Sequence, residues 1–190
     1  MNSRREQLRS ELSSKYVLFS CEDTAEAVIV QKLLEDDALV VPHDNVVLDF
    51  DTQKPYTRLR KAKDIESRFF GYDYPNGLLI ARIVDVNPDK FVIPKCYKDT
   101  VVYHDIITRQ EIEVLILVSE GEYDEWYRHG KQKVKASDWC KQRLKMGRVK
   151  ERVFLEDYWQ QHDLVAAIHG YTHHLGSQKN AQFNLEDLLK

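Results

Sequence analysis

The hydrophobic pattern changes its period at Cys21. From Tyr16 to Phe19 every position is apolar, as expected of a strand covered on both faces. The chain then meets Glu22 and Asp23, after which Ala27, Val30, Leu33 and Leu34 recur at helical spacing. Asp23 reads as the N-cap of that helix, and Glu26, three residues on, as its capping-box partner. A polar helix is predicted over 3–13, a strand over 15–21 and a second short strand over 45–50. A basic helix follows over 56–70, with apolar points at Leu59, Ile65 and Phe69, closed by Gly71 and the turn-rich segment 72–77. Leu78 to Val84 is a third strand, nearly all apolar, and it too stops on a carboxylate, Asp85. Phe91 to Tyr103 reads as a hairpin-like excursion. The apolar run from Ile112 to Val118 is short enough to be either a buried strand or a buried helix. Helices are predicted over 137–146 and 154–171, and a loop with a small terminal helix beyond.

Strands alternating with helices predict an α/β fold: a mostly parallel sheet with helices on both faces and a helical C-terminal part. The expected organisation is an N-terminal helical extension (1–14), an α/β domain (15–135), a helical subdomain on the same core (136–175) and a tail (176–190). In such sheets ligands bind beyond the carboxyl ends of the strands. Glu22 and Asp85 both fall there.

Charge refines this picture. The net charge is only −3, so no uniformly basic nucleic-acid surface is expected, but the charges are segregated. From Asp105 to Trp126 seven acidic residues accompany one base, Arg109; from Arg128 to Arg152 ten Lys or Arg residues accompany only Asp138 and Glu151. A shorter basic run holds Lys54, Arg58, Arg60, Lys61 and Lys63. An acidic stretch beside a basic one suits a site that holds metal ions next to a polyanion. The apolar runs are too short to cross a bilayer, and the N-terminus lacks the apolar core of a secretion signal, so a cytoplasmic protein is expected. Cys21, Cys96 and Cys140 are odd in number and far apart, which fits neither a disulfide framework nor a zinc knuckle.

The strand ending in Cys21-Glu22, with Glu26 four residues on at the start of a helix, resembles the first motif of TOPRIM domains. These occur in topoisomerases, bacterial primases, small ribonucleases and phage-defence nucleases of the OLD and RloB-like kinds. Their second motif, Asp-x-Asp after an apolar strand, is similar to Asp85-Val86-Asn87-Pro88-Asp89. A third feature of the RloB-like branch, a polar turn leading into a Glu within an apolar segment, resembles Thr108-Arg109-Gln110-Glu111-Ile112-Glu113. The likeness spans roughly 15–135 and implies a TOPRIM/Rossmann-like sheet and divalent-metal-dependent hydrolysis of DNA or RNA, in defence against phage. It implies Mg²⁺ or Mn²⁺ held by Glu22, Asp85, Asn87 or Asp89, and Glu111 or Glu113. Glu22 would serve as ligand or general base. A lysine among Lys131, Lys133 and Lys135 would stabilise phosphate charge, with Lys133 the catalytic candidate; Arg58 and Lys61 would join these lysines in binding nucleic acid.

The chain departs from the pattern at two places. TOPRIM domains usually carry Gly after the first Glu, where Asp23 stands, and the second Asp of Asp-x-Asp is replaced by Asn87 or displaced to Asp89. Those departures imply the alternative: a degenerate domain that binds nucleic acid or a protein partner without cutting, with self-association open. Asp49-Phe50-Asp51 has the Asp-x-Asp spacing too, but follows the second predicted strand rather than the third. His169 and His173, four apart, have metal-ligand spacing on one helical face but no completing Cys or carboxylate. Trp126, Tyr127, Trp139, Tyr158 and Trp159 are candidates for base stacking or for the core. No phosphate-cradling glycine loop and no Ser-His-Asp arrangement is present.

Overall fold

Three apolar segments pair side by side, all parallel, in the order β1 (Tyr16–Cys21), β2 (Leu78–Val84) and β3 (Val101–Ile107). The computed structural model describes residues 3–86, 88–108, 112–129, 133–176 and 182–190. The α/β architecture with a parallel sheet and a helical C-terminal part is as the pattern predicts. Alternation along the strands divides the core in two. Val17, Phe19, Cys21, Leu79, Ala81, Ile83 and Ile106 face a large apolar layer. That layer draws on α1 (Ser3–Ser14), α2 (Thr24–Glu35), α4 (Val114–Ser119), α5 (Tyr123–His129), α6 (Ala136–Gln142), α7 (Arg152–Gln161) and α8 (Leu164–Leu175). Leu18, Leu78, Ile80 and Val101 face the other side, covered by Ile65 and Phe69 of α3 (Ala62–Phe69) and by Phe91 and Ile93.

Arg82 is the exception to the apolar face of β2. It is buried on the α3 side, where it pairs with Asp105 of the adjoining strand at 3.0 Å and lies 4.6 Å over the Phe91 ring. Burial pushes the Asp105 carboxyl up, and the arginine beside it pulls the other way.

Several predicted elements take a different form. Residues 45–50 are not a strand. Val46 bridges Val17, Thr57 bridges Ser20, and the chain between them loops outward, so the β1 edge is covered by two short contacts. The same pairing removes the first turns of the predicted helix over 56–70. Thr57 exchanges backbone hydrogen bonds with Phe19 and Cys21, and Ser20 Oγ donates to the Leu59 carbonyl at 2.7 Å, so α3 starts only at Ala62. The hairpin expected over 91–103 is absent. Pro94 leads into a 3₁₀ turn over Lys95–Tyr97, and Val101 onward becomes β3, parallel to β2. The ambiguous run 114–118 is helical. It forms α4 beside the end of β3, where Phe183 bridges Ile106 and its carbonyl accepts from the Ile107 amide at 2.8 Å. The helix predicted over 154–171 is two helices. His162 is extended, and Asp163 caps α8 by accepting from the Ala166 amide at 2.9 Å. Gly170 lies inside α8 rather than at an exposed end, and a Cβ there would meet Val118 of α4 at 2.7 Å.

Gly77 sets the start of β2. Its φ is +82°, and a Cβ built there would sit 2.7 Å from the Thr100 carbonyl oxygen, which itself accepts from the Leu78 amide. Gly77→Ala is therefore expected to cost ~2 kcal/mol, from the left-handed backbone and the displaced carbonyl. Urea unfolding would show it as a lowered midpoint at unchanged slope.

Candidate functional site at the carboxyl ends of β1 and β2

Cys21 pairs with Ile83, so β1 and β2 end together and deliver Glu22 and Asp85 to one sheet edge. Glu22 Oε2 lies 3.5 Å from the Asp85 amide nitrogen, at the long limit of a hydrogen bond, and Oε1 pairs with Arg60 from the neighbouring segment. The Glu22 carboxylate thus reaches the Asp85 backbone across 63 residues of sequence.

Local geometry aims Glu22. Asp23 and Glu26 form the capping box of α2, and Glu26 Oε2 accepts from the Glu22 amide at 2.5 Å and the Asp23 amide at 2.9 Å. Strand end and helix start are thereby locked into one turn, and Glu22 points outward while Glu26 is buried inward. Glu26 is only 4% exposed. Burial pushes its carboxyl up to about 7; the two amides oppose the shift, while the charges of Glu22 and Asp23 add to it.

Above this turn opens a cleft of ≈ 380 Å³ lined by Asp23, Glu26, Asp85, Glu113, Lys135 and Lys150. Glu113, at the start of α4, is buried and lies 3.9 Å from Lys150 Nζ. The cleft therefore combines Asp85 from the end of β2 and Glu113 with two lysines from the basic C-terminal half and the N-terminus of α2, while Glu22 lies beside it, outside its lining.

The remaining candidates are distributed as follows. Asp89 is exposed, and its carbonyl faces Arg82 at 3.4 Å, on the α3 side of the sheet. Lys133 is exposed and does not line the cleft, whereas Lys135 does. Arg58 lines a second cleft, described below, and Lys61 is the N-cap of α3. Asn87, Glu111 and Lys131 lie outside the described residues. Asp49-Phe50-Asp51 organises a turn. Asp49 accepts from the amides of Asp51 and Thr52 and from the Thr52 hydroxyl at 3.1–3.2 Å, while Arg68 holds Asp51 at 2.6 Å. Burial opposes ionisation of Asp49, but these donors and Thr57 hold its carboxyl below the usual range. His169 pairs with Glu186 at 2.7 Å and His174 stacks on Tyr123, so the helical histidines serve local packing. Trp126, Trp139, Tyr158 and Trp159 are core residues, and Tyr127 is exposed. No disulfide joins the three cysteines, and burial pushes the Cys21 thiol well up.

Two charged residues reach this edge without a local signal in the sequence. Arg60 and Lys150 sit in basic runs where nothing marks them off from their neighbours; only the pairing of 57–60 along β1 and the return of the chain after α6 bring them to the site.

Among the described residues, no group of three or more His, Cys, Asp or Glu side chains is arranged to hold a metal ion. A hard cation such as Mg²⁺ can also be held by one or two carboxylates and several waters; at this edge Glu22 and Asp85 would have to supply them, and Glu22 Oε1 is taken by Arg60. No helix among the described residues is long and apolar enough to cross a membrane. No family model, no curated protein and no solved structure matches the chain.

Proposed function

We propose that this protein is a TOPRIM-like, divalent-metal-dependent phosphodiesterase acting on nucleic acid, with phage defence as its setting. The observation that carries the reading is that Glu22 and Asp85 follow adjoining strand ends, with the Glu22 carboxylate at the Asp85 amide and Asp85 lining a cleft furnished with Lys135 and Lys150. The order of the motifs supports it: Glu22 follows the first strand of a parallel sheet and Asp85 the second. Glu22 and Asp85 would hold Mg²⁺ or Mn²⁺, which when bound would activate a water and shield charge on the scissile phosphate. Lys135 and Lys150 would bind the phosphate oxygens, and Glu113 would fix Lys150. Glu26 would act as a positioning residue, holding the turn that aims Glu22. Arg60 would occupy Glu22 in the resting site and leave it when a cation binds.

The ion pair between Arg60 and Glu22 also favours a second reading, a domain that binds nucleic acid without cutting it. One experiment separates the two. Labelled single-stranded and duplex DNA and RNA are incubated with the protein in Mg²⁺, in Mn²⁺ and in chelator. Cutting that depends on the metal supports hydrolysis. Salt-sensitive binding without cutting supports the second reading, and neither leaves a protein partner as the occupant.

A further inference from the structure

A second cleft, of ≈ 340 Å³, opens along the segment that leads to Arg60. Four cations line it, Lys54, Arg58, Arg68 and Arg152, against two carboxylates, Asp49 and Asp51. Both carboxylates are committed elsewhere: Asp49 to its own turn, and Asp51 to Arg68 at 2.6 Å. Arg152 is held by Glu156 at 2.8 Å and donates to the Tyr56 hydroxyl oxygen at 2.6 Å. Because that oxygen accepts, the Tyr56 proton is left to donate, and Tyr56 is only 3% exposed. Lys54 lies over the Tyr56 ring at 5.8 Å. Arg58 is exposed and, unlike Arg60, Arg68 and Arg152, pairs with no carboxylate among the described residues.

The segment that walls this cleft also runs to Glu22. Thr57, Arg58 and Leu59 form its wall, and at the next residue the same segment reaches Glu22 through Arg60. Backbone bonds between Thr57 and both Phe19 and Cys21, with the Ser20 hydroxyl donating to the Leu59 carbonyl, fix that segment on β1. Fixed cations presented next to a buried hydroxyl donor suit a phosphate diester, which offers oxygens and one negative charge per nucleotide.

We propose that the cleft of Lys54, Arg58, Arg152 and Tyr56 is a docking subsite for the sugar–phosphate backbone of the strand whose scissile bond lies beyond Glu22. The inference rests on the phosphodiesterase reading for its substrate, yet it is testable without cleavage. Glu22→Gln protein in chelator would be titrated with short labelled single-stranded DNA and RNA over a range of salt, read by fluorescence anisotropy. The same titration would be made with Lys54→Glu/Arg58→Glu added. A charge-matched control, Lys95→Glu/Lys98→Glu, sits before β3 at the amino end of the sheet. Lys54 and Arg58 are exposed, so their reversal leaves the core untouched, and Tyr56→Phe removes the hydroxyl, both its donor proton and the oxygen that accepts from Arg152. The expected result is binding weakened at least about tenfold by the Lys54/Arg58 reversal, with the salt slope lowered by ~1 or more, and a control close to the parent. Tyr56→Phe should weaken binding a few-fold. Equal loss in the control, unchanged binding in the reversal variant, or no oligonucleotide binding at low salt would each overturn the proposal. Selective loss of binding in a protein that never cuts would uphold the subsite and refute hydrolysis instead.

Discussion

Glu22→Gln and Asp85→Asn are each expected to lower metal-dependent cleavage by about 10³-fold while leaving the fold intact. A bound cation stabilises several kcal/mol of transition-state charge, and losing ~4 kcal/mol corresponds to roughly that factor. Both side chains stand at a solvent-facing sheet edge, so the amide substitutions change charge and not packing. The two variants should resemble each other, and the double variant should be scarcely worse than either, because residues acting on one ion form a unit. Calorimetry with Mn²⁺ supplies an independent readout: each single variant should lose uptake. Wild-type cutting rates in both variants would remove this edge of the sheet from consideration as the active site.

The second large effect concerns Glu26 and stability. A carboxyl pushed up to about 7 in the folded state, against 4.5 when unfolded, binds its proton more tightly folded than unfolded. Its contribution is therefore favourable at low pH and is lost as pH rises from about 4.5 to about 7. At 1.36 kcal/mol per pKa unit the loss amounts to at most about 3 kcal/mol. Asp105 and Asp187, also raised by burial, act in the same direction, whereas Asp49 is lowered and its contribution is complete above its unfolded pKa of 3.8. Glu26→Gln isolates the one group, since Gln can still accept the amides of Glu22 and Asp23 in a capping box. Thermal unfolding midpoints of the two proteins should draw apart between pH 5 and pH 8, with the variant gaining relative to the wild type. A constant difference across that range would mean that the buried carboxyl titrates normally. The same locked turn aims Glu22, so a pH-independent drop in metal uptake in Glu26→Gln would trace to positioning.

The outcome of these tests depends on geometry that local sequence signals specify unevenly. The strand ending at Cys21, the cap at Asp23 and the helix after it are local, because one turn contains both the period change and the Glu26 side chain that closes it. The apolar character of Leu78 to Val84 likewise marks a buried strand whatever its neighbours are. Where the backbone's partners are remote, the pattern misleads. Residues 45–50 and 56–61 carry strand-like and helix-like signals. Their form is set by competition for the edge of β1, where Val46 and Thr57 bond and the chain between them loops out. The run 114–118 is open between strand and helix by its local pattern, and it is a helix packed in the core against α5, α6 and α8.

From its own composition and periodicity the chain determined a parallel α/β sheet and the placing of Glu22 and Asp85 at strand ends, because burial and capping act within a few residues. Tertiary structure alone decided that those ends adjoin, that Arg60 and Lys150 reach them, and that Arg58 turns to a separate cleft. Side chains distant along the chain come together only through strand register and helix packing, and identical lysines or arginines in a basic run carry no local mark of which one the fold will bring to the site.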